Sequence, residues 1–192
     1  MSRFAPNPVE RMIVESFTDP SAPAYGQLAT LAKDGVPFVR TVHFHYLSGM
    51  EALAFNTHVG SAKWLHLGSN NLLSACYHDQ KRGVQFRWES KAGLIRPTDD
   101  DFQALLHKMW QEVREEVRLA YWLDHHGLPL SHDPLPPMDV HQRPLNFGTV
   151  LLKPYRWDIF QMNHESYRHG KRSIHLYEHG EWQSRQVSLL RD

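Results

Sequence analysis

The apolar positions of this chain fall into two rhythms, one near 3.6 residues and one near 2. Over residues 8–17 (P-V-E-R-M-I-V-E-S-F) they recur at 9, 12, 13 and 17, which predicts a short amphipathic helix capping a core. Pro8 suits its first position, and the P-S-A-P run at 20–23 ends it. From residue 25 the period falls to two. Leu28, Thr30 and Ala32 alternate with Ala29, Leu31 and Lys33, and Asp34-Gly35 predicts a two-residue type I′ turn. The chain returns over residues 36–46, with Arg40, Val42 and Phe44 facing one way and Thr41, His43 and His45 the other. Ser48-Gly49 turns it again into a third strand over 51–57.

A short helix is predicted over 61–67, with Ser61 as N-cap and Gly68 at its C-terminal turn. Strands follow over 71–77 and 84–95, the second with Gln85, Arg87 and Glu89 on one side. One long helix is predicted from Thr98, which acts as its N-cap ahead of Asp99, Asp100 and Asp101. Its apolar stripe runs Phe102, Leu105, Leu106, Met109, Val113, Val117 and Tyr121. Residues 124–146 read as a loop rich in Pro and His, of a length that is usually functional or mobile. Residues 148–162 predict a long strand with Pro154 at an edge or bulge, and 172–177 pairs with 181–190 through E-H-G. The sum is a single domain, 1–192, mainly β: an antiparallel barrel of six to eight strands with one long helix and short capping helices.

Composition narrows the function classes. Of 192 residues 41% are hydrophobic, enough for one core. Lys plus Arg and Asp plus Glu both number 21, so no bulk field draws the chain to nucleic acid or a membrane surface. Cys76 alone excludes an internal disulfide framework and suits a reducing compartment. No leader peptide or membrane-length apolar run is visible, so a cytoplasmic protein is expected. The 14 histidines invite a metal or haem reading, yet no ligand spacing is present. His125, His126, His132, Asp133 and His141 are the metal candidates in the loop, and no metal is expected.

The candidate chemistry lies between Arg40 and Lys63. A strand that spills into a helix presents unpaired N–H groups and a partial positive charge, which is a natural anion site. Thr57 and Ser61 supply hydroxyl donors there and Arg40 and Lys63 supply cations, so the implied ligand is a phosphate. The same spacing also fits an ordinary polar strand–turn–helix at the surface.

Four segments in order resemble the pyridoxamine 5′-phosphate oxidase family of FMN-binding split barrels. They are R-T-V-H-F-H at 40–45, N-T-H-V-G-S-A-K at 56–63, Q-F-R-W-E-S-K-A at 85–92, and a C-terminal set: D-I-F-Q at 158–161, R-H-G-K-R at 168–172 and W-Q-S-R-Q-V-S-L from Trp182. The resemblance implies a split β-barrel homodimer with FMN in the groove between subunits. It implies that Arg40 and Lys63 hold the FMN phosphate with Ser61, Thr57 and the adjoining Asn56. Thr41 and Val42 would offer backbone to the isoalloxazine edge, Gln85 would reach the ring, and Arg172 would approach from the other subunit.

The departures from the family pattern fall on the reaction side. Ala62 replaces a basic residue, His45 the substrate-phosphate lysine, Gly170 a histidine facing the substrate, and Phe160 a tryptophan beside the flavin. The family's substrate-phosphate segment has no counterpart; L-H-K-M-W at 106–110 lies nearby without its arginine. The expected function is an FMN-dependent oxidoreductase acting on a small substrate, with His45 and Arg168 as the catalytic candidates. The alternatives are a flavin-binding or redox-sensing module without turnover, and a haem-binding split barrel, for which His169 and His175 are the residues to examine.

Overall fold

The computed structural model describes residues 4–123, 139–163 and 165–189. The predicted metal candidates His125, His126, His132 and Asp133 lie outside the described residues. His141 is exposed, and no cluster of three potential metal ligands occurs among the described residues.

The architecture is mainly β, a curled antiparallel sheet with helices at its ends. The opening helix α1 (Asn7–Phe17) buries Val9, Ile13 and Phe17, three of the predicted apolar positions. Strand β1 (Tyr25–Leu31) pairs with β2 (Pro37–His43), and β3 (His45–Leu47) follows after a break at Phe44. Strand β4 (Ala52–His58) leads into α2 (Ala62–Ser69). Then come β5 (Leu72–Asp79), β6 (Val84–Ile95), the helices α3 (Gln103–Gln111) and α4 (Glu115–Arg118), and β7 (Phe147–Gln161). A final hairpin joins β8 (Lys171–Glu178) to β9 (Glu181–Val187).

The sheet runs β2-β1-β5-β6-β7-β4-β3, with β8 and β9 appended to β7. Its two ends, β2 and β3, are consecutive in the chain, so the break at Phe44 curls the sheet back on itself. The Phe44 ring is fully buried among Phe17, Phe55 and Trp88. This aromatic core fills the curl and α1 closes it. A second core packs Leu106, Met109 and Trp110 of α3 against Phe147 and Leu151 of β7. No helix among the described residues is long and apolar enough to cross a membrane.

Several local expectations are corrected. Gly35 is in the left-handed region (φ 84°) and Asp34 is not. The Ala32 carbonyl accepts from Gly35, and the Ala32 amide donates to Val36 at 2.9 Å. The loop is therefore a type I turn closed by a glycine bulge, not a type I′ turn. Gly68 lies inside α2, which continues to Ser69 because that face packs on Leu94. Thr98 caps no helix, since helical backbone starts only at Asp100. Pro154 does sit at a bulge: Glu89 pairs with Arg156 and Ser90 with Pro154, leaving Tyr155 extra.

The largest correction is the long helix, which breaks after Gln111. Arg114 is extended (ψ 141°) before α4 resumes. Arg118 supplies the reason. Its guanidinium folds back over the Trp110 ring, 5.4 Å from the centroid, and donates to the carbonyls of Gln111, Val113 and Val140. Those donors replace the helical amides that the end of α3 loses.

Candidate functional site

Arg40 reaches from the inner face of β2 across β1. Its Nη1 donates to the Thr30 hydroxyl at 2.7 Å and the Leu28 carbonyl at 3.2 Å. The Thr30 hydroxyl, accepting from Arg40, also hydrogen-bonds Nδ1 of His66 on α2, 3.0 Å away. The guanidinium is thus fixed between the sheet and the helix. Lys63, in the first turn of α2, donates from Nζ to Thr57 Oγ1 at 3.2 Å, and Thr57 Oγ1 lies 2.9 Å from Ser61 Oγ. Ser61 precedes α2, yet its hydroxyl makes no capping bond to the helix and turns to Thr57 instead. Thr57, Ser61 and Lys63 therefore form a cradle, with Arg40 near enough for its charge to act on Lys63.

The cradle is short of negative charge. Among the described residues no carboxylate pairs with Arg40 or Lys63. Burial lowers the pKa of Lys63 from its ordinary value, and the neighbouring Arg40 charge lowers it further. Burial likewise lowers Arg40. Two cations held together at a loss are what an anion repairs, and paired Arg and Lys beside two hydroxyls suit a phosphate.

A cavity of about 410 Å³ opens beside the cradle and shares Asn56 and Lys63 with it. Thr41, Val42, His43 and His45 form one wall, with Tyr25 at its edge. Glu112, Arg114, Val117 and Tyr121, from the break in the helix onward, form the other. Asn56 is held by the Thr149 hydroxyl, which donates to its Oδ1 at 2.9 Å. The three rings form a ladder: Tyr25 stacks on His43 with centroids 4.8 Å apart, and His43 meets His45 at 4.2 Å. Burial pushes both imidazoles down to about 4, with His45 adding to the effect on His43, so both rings are neutral at pH 7. Burial pushes the Tyr121 phenol up to about 12.

His58 ties the two walls together. The Gly60 amide donates to Nδ1 at 2.8 Å, so Nε2 carries the proton and donates to the Leu123 carbonyl at 2.8 Å. One buried imidazole thus joins the loop before α2 to the end of the helical segment that covers the cradle through Val117, Ala120 and Tyr121.

Of the predicted site residues, the structure gathers Arg40, Thr41, Val42, His45, Asn56, Thr57, Ser61 and Lys63 around the cradle and cavity. It places Gln85 and Arg172 elsewhere. Both sit on the outward face of the sheet, opposite Phe160 on β6 and β8. Arg172 is bound to Asp158, which also receives Arg87. Arg168 is exposed in the turn Tyr167–His169, away from the cavity. His175 engages both ring nitrogens with hydroxyls, Ser184 at 2.7 Å and Ser173 at 2.9 Å. Sequence reading missed His43, Tyr25, His58, Glu112 and Arg114. The alternation of residues 41, 43 and 45 pointed to His43; nothing in the helical stripe marked the break that presents Glu112 and Arg114.

No protein-family model matches the chain, and no curated protein matches it. Solved structures do. A pyridoxamine 5′-phosphate oxidase-related, FMN-binding protein of Nostoc punctiforme PCC 73102 is 27% identical, with a TM-score of 0.79 over 96% of this chain and 97% of that one. PhzG of Burkholderia lata 383, solved with tetrahydrophenazine-1-carboxylic acid, is 16% identical with a TM-score of 0.72, covering 95% and 91% of the two chains. General stress protein 26 of Bacillus anthracis is 14% identical with a TM-score of 0.52, covering 79% and 92%. The chain has the pyridoxamine 5′-phosphate oxidase-like fold.

Proposed function

We propose that this protein is an FMN-dependent oxidoreductase acting on a small substrate in the cavity beside the cradle. The observation that carries the reading is the cradle: Arg40 and Lys63 held together without a carboxylate, next to the Thr57 and Ser61 hydroxyls. Its chemistry fits a phosphate monoester, and the similar Nostoc protein is described as FMN-binding. FMN supplies two-electron redox chemistry when bound.

The chain's own residues bind and orient. Arg40 and Lys63 neutralise the phosphate, and Thr57 and Ser61 donate to it. Thr41 and Val42 present the edge of β2 toward the cavity. His45 is neutral at pH 7 and is the group placed to take a substrate proton. The helical cover, latched by His58, keeps water from the cradle.

The second copy enters this reading through the outward face of the sheet. Tyr25, Leu31, Val39 and Leu72 expose large apolar side chains there, around a trough lined by Gln27, Cys76, Arg87 and Asp158. A homodimer joined by this face would cover them and bring Gln85 and Arg172 toward the partner's flavin. A cytoplasmic location follows the single cysteine and remains part of the proposal.

The test is an absorbance spectrum after incubation with FMN and removal of the excess, with light scattering on the same sample. Retained flavin bands and a dimer mass are expected. A colourless protein after desalting overturns the cofactor, and a flavin-loaded monomer overturns the assembly. Flavin that is retained but never reduced by any substrate favours a module without turnover. The haem reading gains nothing from His175, whose nitrogens are both taken.

A further inference from the structure

His45 meets a carboxylate at one nitrogen and a second ring beside it. Its Nδ1 lies 3.4 Å from Glu112 Oε2, a contact that joins β3 to the residue ending α3. The His43 ring stands against His45 with centroids 4.2 Å apart, and Tyr25 stacks on His43 in turn. Lys63 and Arg114 line the same cavity and carry the opposite charge to Glu112. Lys63 donates to Thr57, and Arg114 lies 3.1 Å from Glu116. Among the described residues, the one group at ion-pair distance from Glu112 is His45.

This contact decides where the His45 proton sits. The ring is neutral at pH 7, so it carries one N–H and one lone pair. A carboxylate only accepts. With the lone pair on Nδ1, two acceptors would face each other; with the proton there, Nδ1 points a donor at Oε2. The proton therefore belongs on Nδ1, and Nε2 keeps the lone pair. Nε2 has no partner among the described residues and is not a buried orphan, so it opens on the cavity that the ring lines. A carboxylate so placed also steadies the ring once Nε2 has taken a proton, because the new positive charge lies against it. Hydrogen bonds of this kind are often long before a substrate binds and tighten in the complex. We infer that Glu112 is a positioning residue: it holds the His45 proton on Nδ1 and keeps Nε2 as an acceptor toward the cavity, so the group bound there brings an N–H or O–H. Calling that group part of a substrate rests on the oxidoreductase reading of the site; the tautomer does not.

The experiment reads the ring nitrogens directly. The full chain, labelled with nitrogen-15 histidine, is studied at pH 7 with and without FMN by long-range proton–nitrogen NMR, and His45→Gln assigns the ring. His45 should show a protonated Nδ1 and an unprotonated Nε2. Glu112→Gln, whose amide donates as readily as it accepts, and Glu112→Ala should both move the proton toward Nε2, the tautomer that free histidine prefers. A merely structural role for Glu112 would leave the tautomer where it was. The Glu112 side chain is 43% exposed, so both variants keep the fold, as a thermal melt will verify. Phenol and anisole, alike in shape, are then titrated into the parent. Phenol should shift the Nε2 resonance at a concentration at least tenfold lower than anisole, and Glu112→Gln should abolish that preference. A proton on Nε2 in the parent, an unchanged tautomer in both variants, anisole as effective as phenol, or no shift with either overturns the inference. The expected tautomer in a protein that retains no FMN leaves Glu112 as a positioning residue and removes the oxidoreductase reading.

Discussion

Trp64 packs directly against Gly148: a β-carbon at that glycine would come within 2.6 Å of Cζ3 and 2.8 Å of Cη2 of the ring. Trp64 belongs to α2 and Gly148 to β7, so this contact sets how closely the helix bearing Lys63 approaches the sheet. Gly148→Ala is expected to displace α2 rather than only open the core. Overpacking of this kind costs about 1–3 kcal/mol. The expected outcome is a lower melting temperature together with weaker FMN retention, read by thermal denaturation and by fluorescence titration. A variant that loses stability and binds FMN normally would show that α2 is not placed by this contact.

Lys63 and Arg40 predict opposite effects on the free and the loaded protein. Each is held below its ordinary pKa, Lys63 partly by Arg40 itself. Lys63→Ala removes the cation that is strained without its anion, so the FMN-free protein should melt no lower than the parent. The loaded protein should lose at least tenfold in FMN affinity, about 1.4 kcal/mol, on losing a charge-assisted contact. Inorganic phosphate should stabilise the parent and not the variant, as thermal shift will check.

His58 should act through the parts it joins. His58→Ala removes the acceptor of the Gly60 amide and the donor to the Leu123 carbonyl. Gly60 and Leu123 are both exposed, so water can replace the lost partner and each bond should cost only about 0.5–1.5 kcal/mol. FMN should leave the variant faster, because the cover over the cradle is no longer fastened. Stopped-flow release of FMN measures this directly.

Acid should weaken the fold in two separate windows. His43 and His45 are pushed down from 6.5 to about 4 by burial, so the unfolded chain takes up their protons before the folded one does. Their contribution is intact above 6.5 and declines as pH falls from there toward 4. Asp158 behaves otherwise. Burial pushes its carboxyl up, but bonds from Arg172 and Arg87 outweigh that and hold it below 3.8, so its contribution is lost only as pH falls below the ordinary carboxylate range. His45→Gln should flatten the upper window and Asp158→Asn the lower one, in urea titrations across pH 2–7.

The strands were legible because their signals are local. The alternation at 40–45 places Val42 and Phe44 inside with no tertiary information, and Glu178-His179-Gly180 declares its turn, with His179 and Gly180 both at positive φ. The cradle was legible for the same reason: its residues lie within seven positions of one another, from Thr57 to Lys63. What the sequence did not show depends on groups far apart. The break after α3 is made by Arg118 folding back onto carbonyls, which a helical stripe cannot reveal. The cavity's outer wall follows from that break. His58 looked like one polar residue in a loop, and its partner at Leu123 is 65 positions away.

Thr149 and Asn56, bonded at 2.9 Å, are 93 positions apart. Beside them Val59 donates to the Asn146 carbonyl, and β4 pairs with β7 along its length. The chain therefore makes the two ends of its central pairing with about half of its length between them. Closing so long a loop is entropically slow, and pairings of this separation form late. Arg40, Thr57 and Lys63 leave the ribosome early, yet the seat for α2 arrives only with β7. If FMN fills the cradle as proposed, a nascent chain that lacks β7 cannot hold it, and FMN should act on a late step of folding, locking the docked β7 rather than templating the strands that precede it.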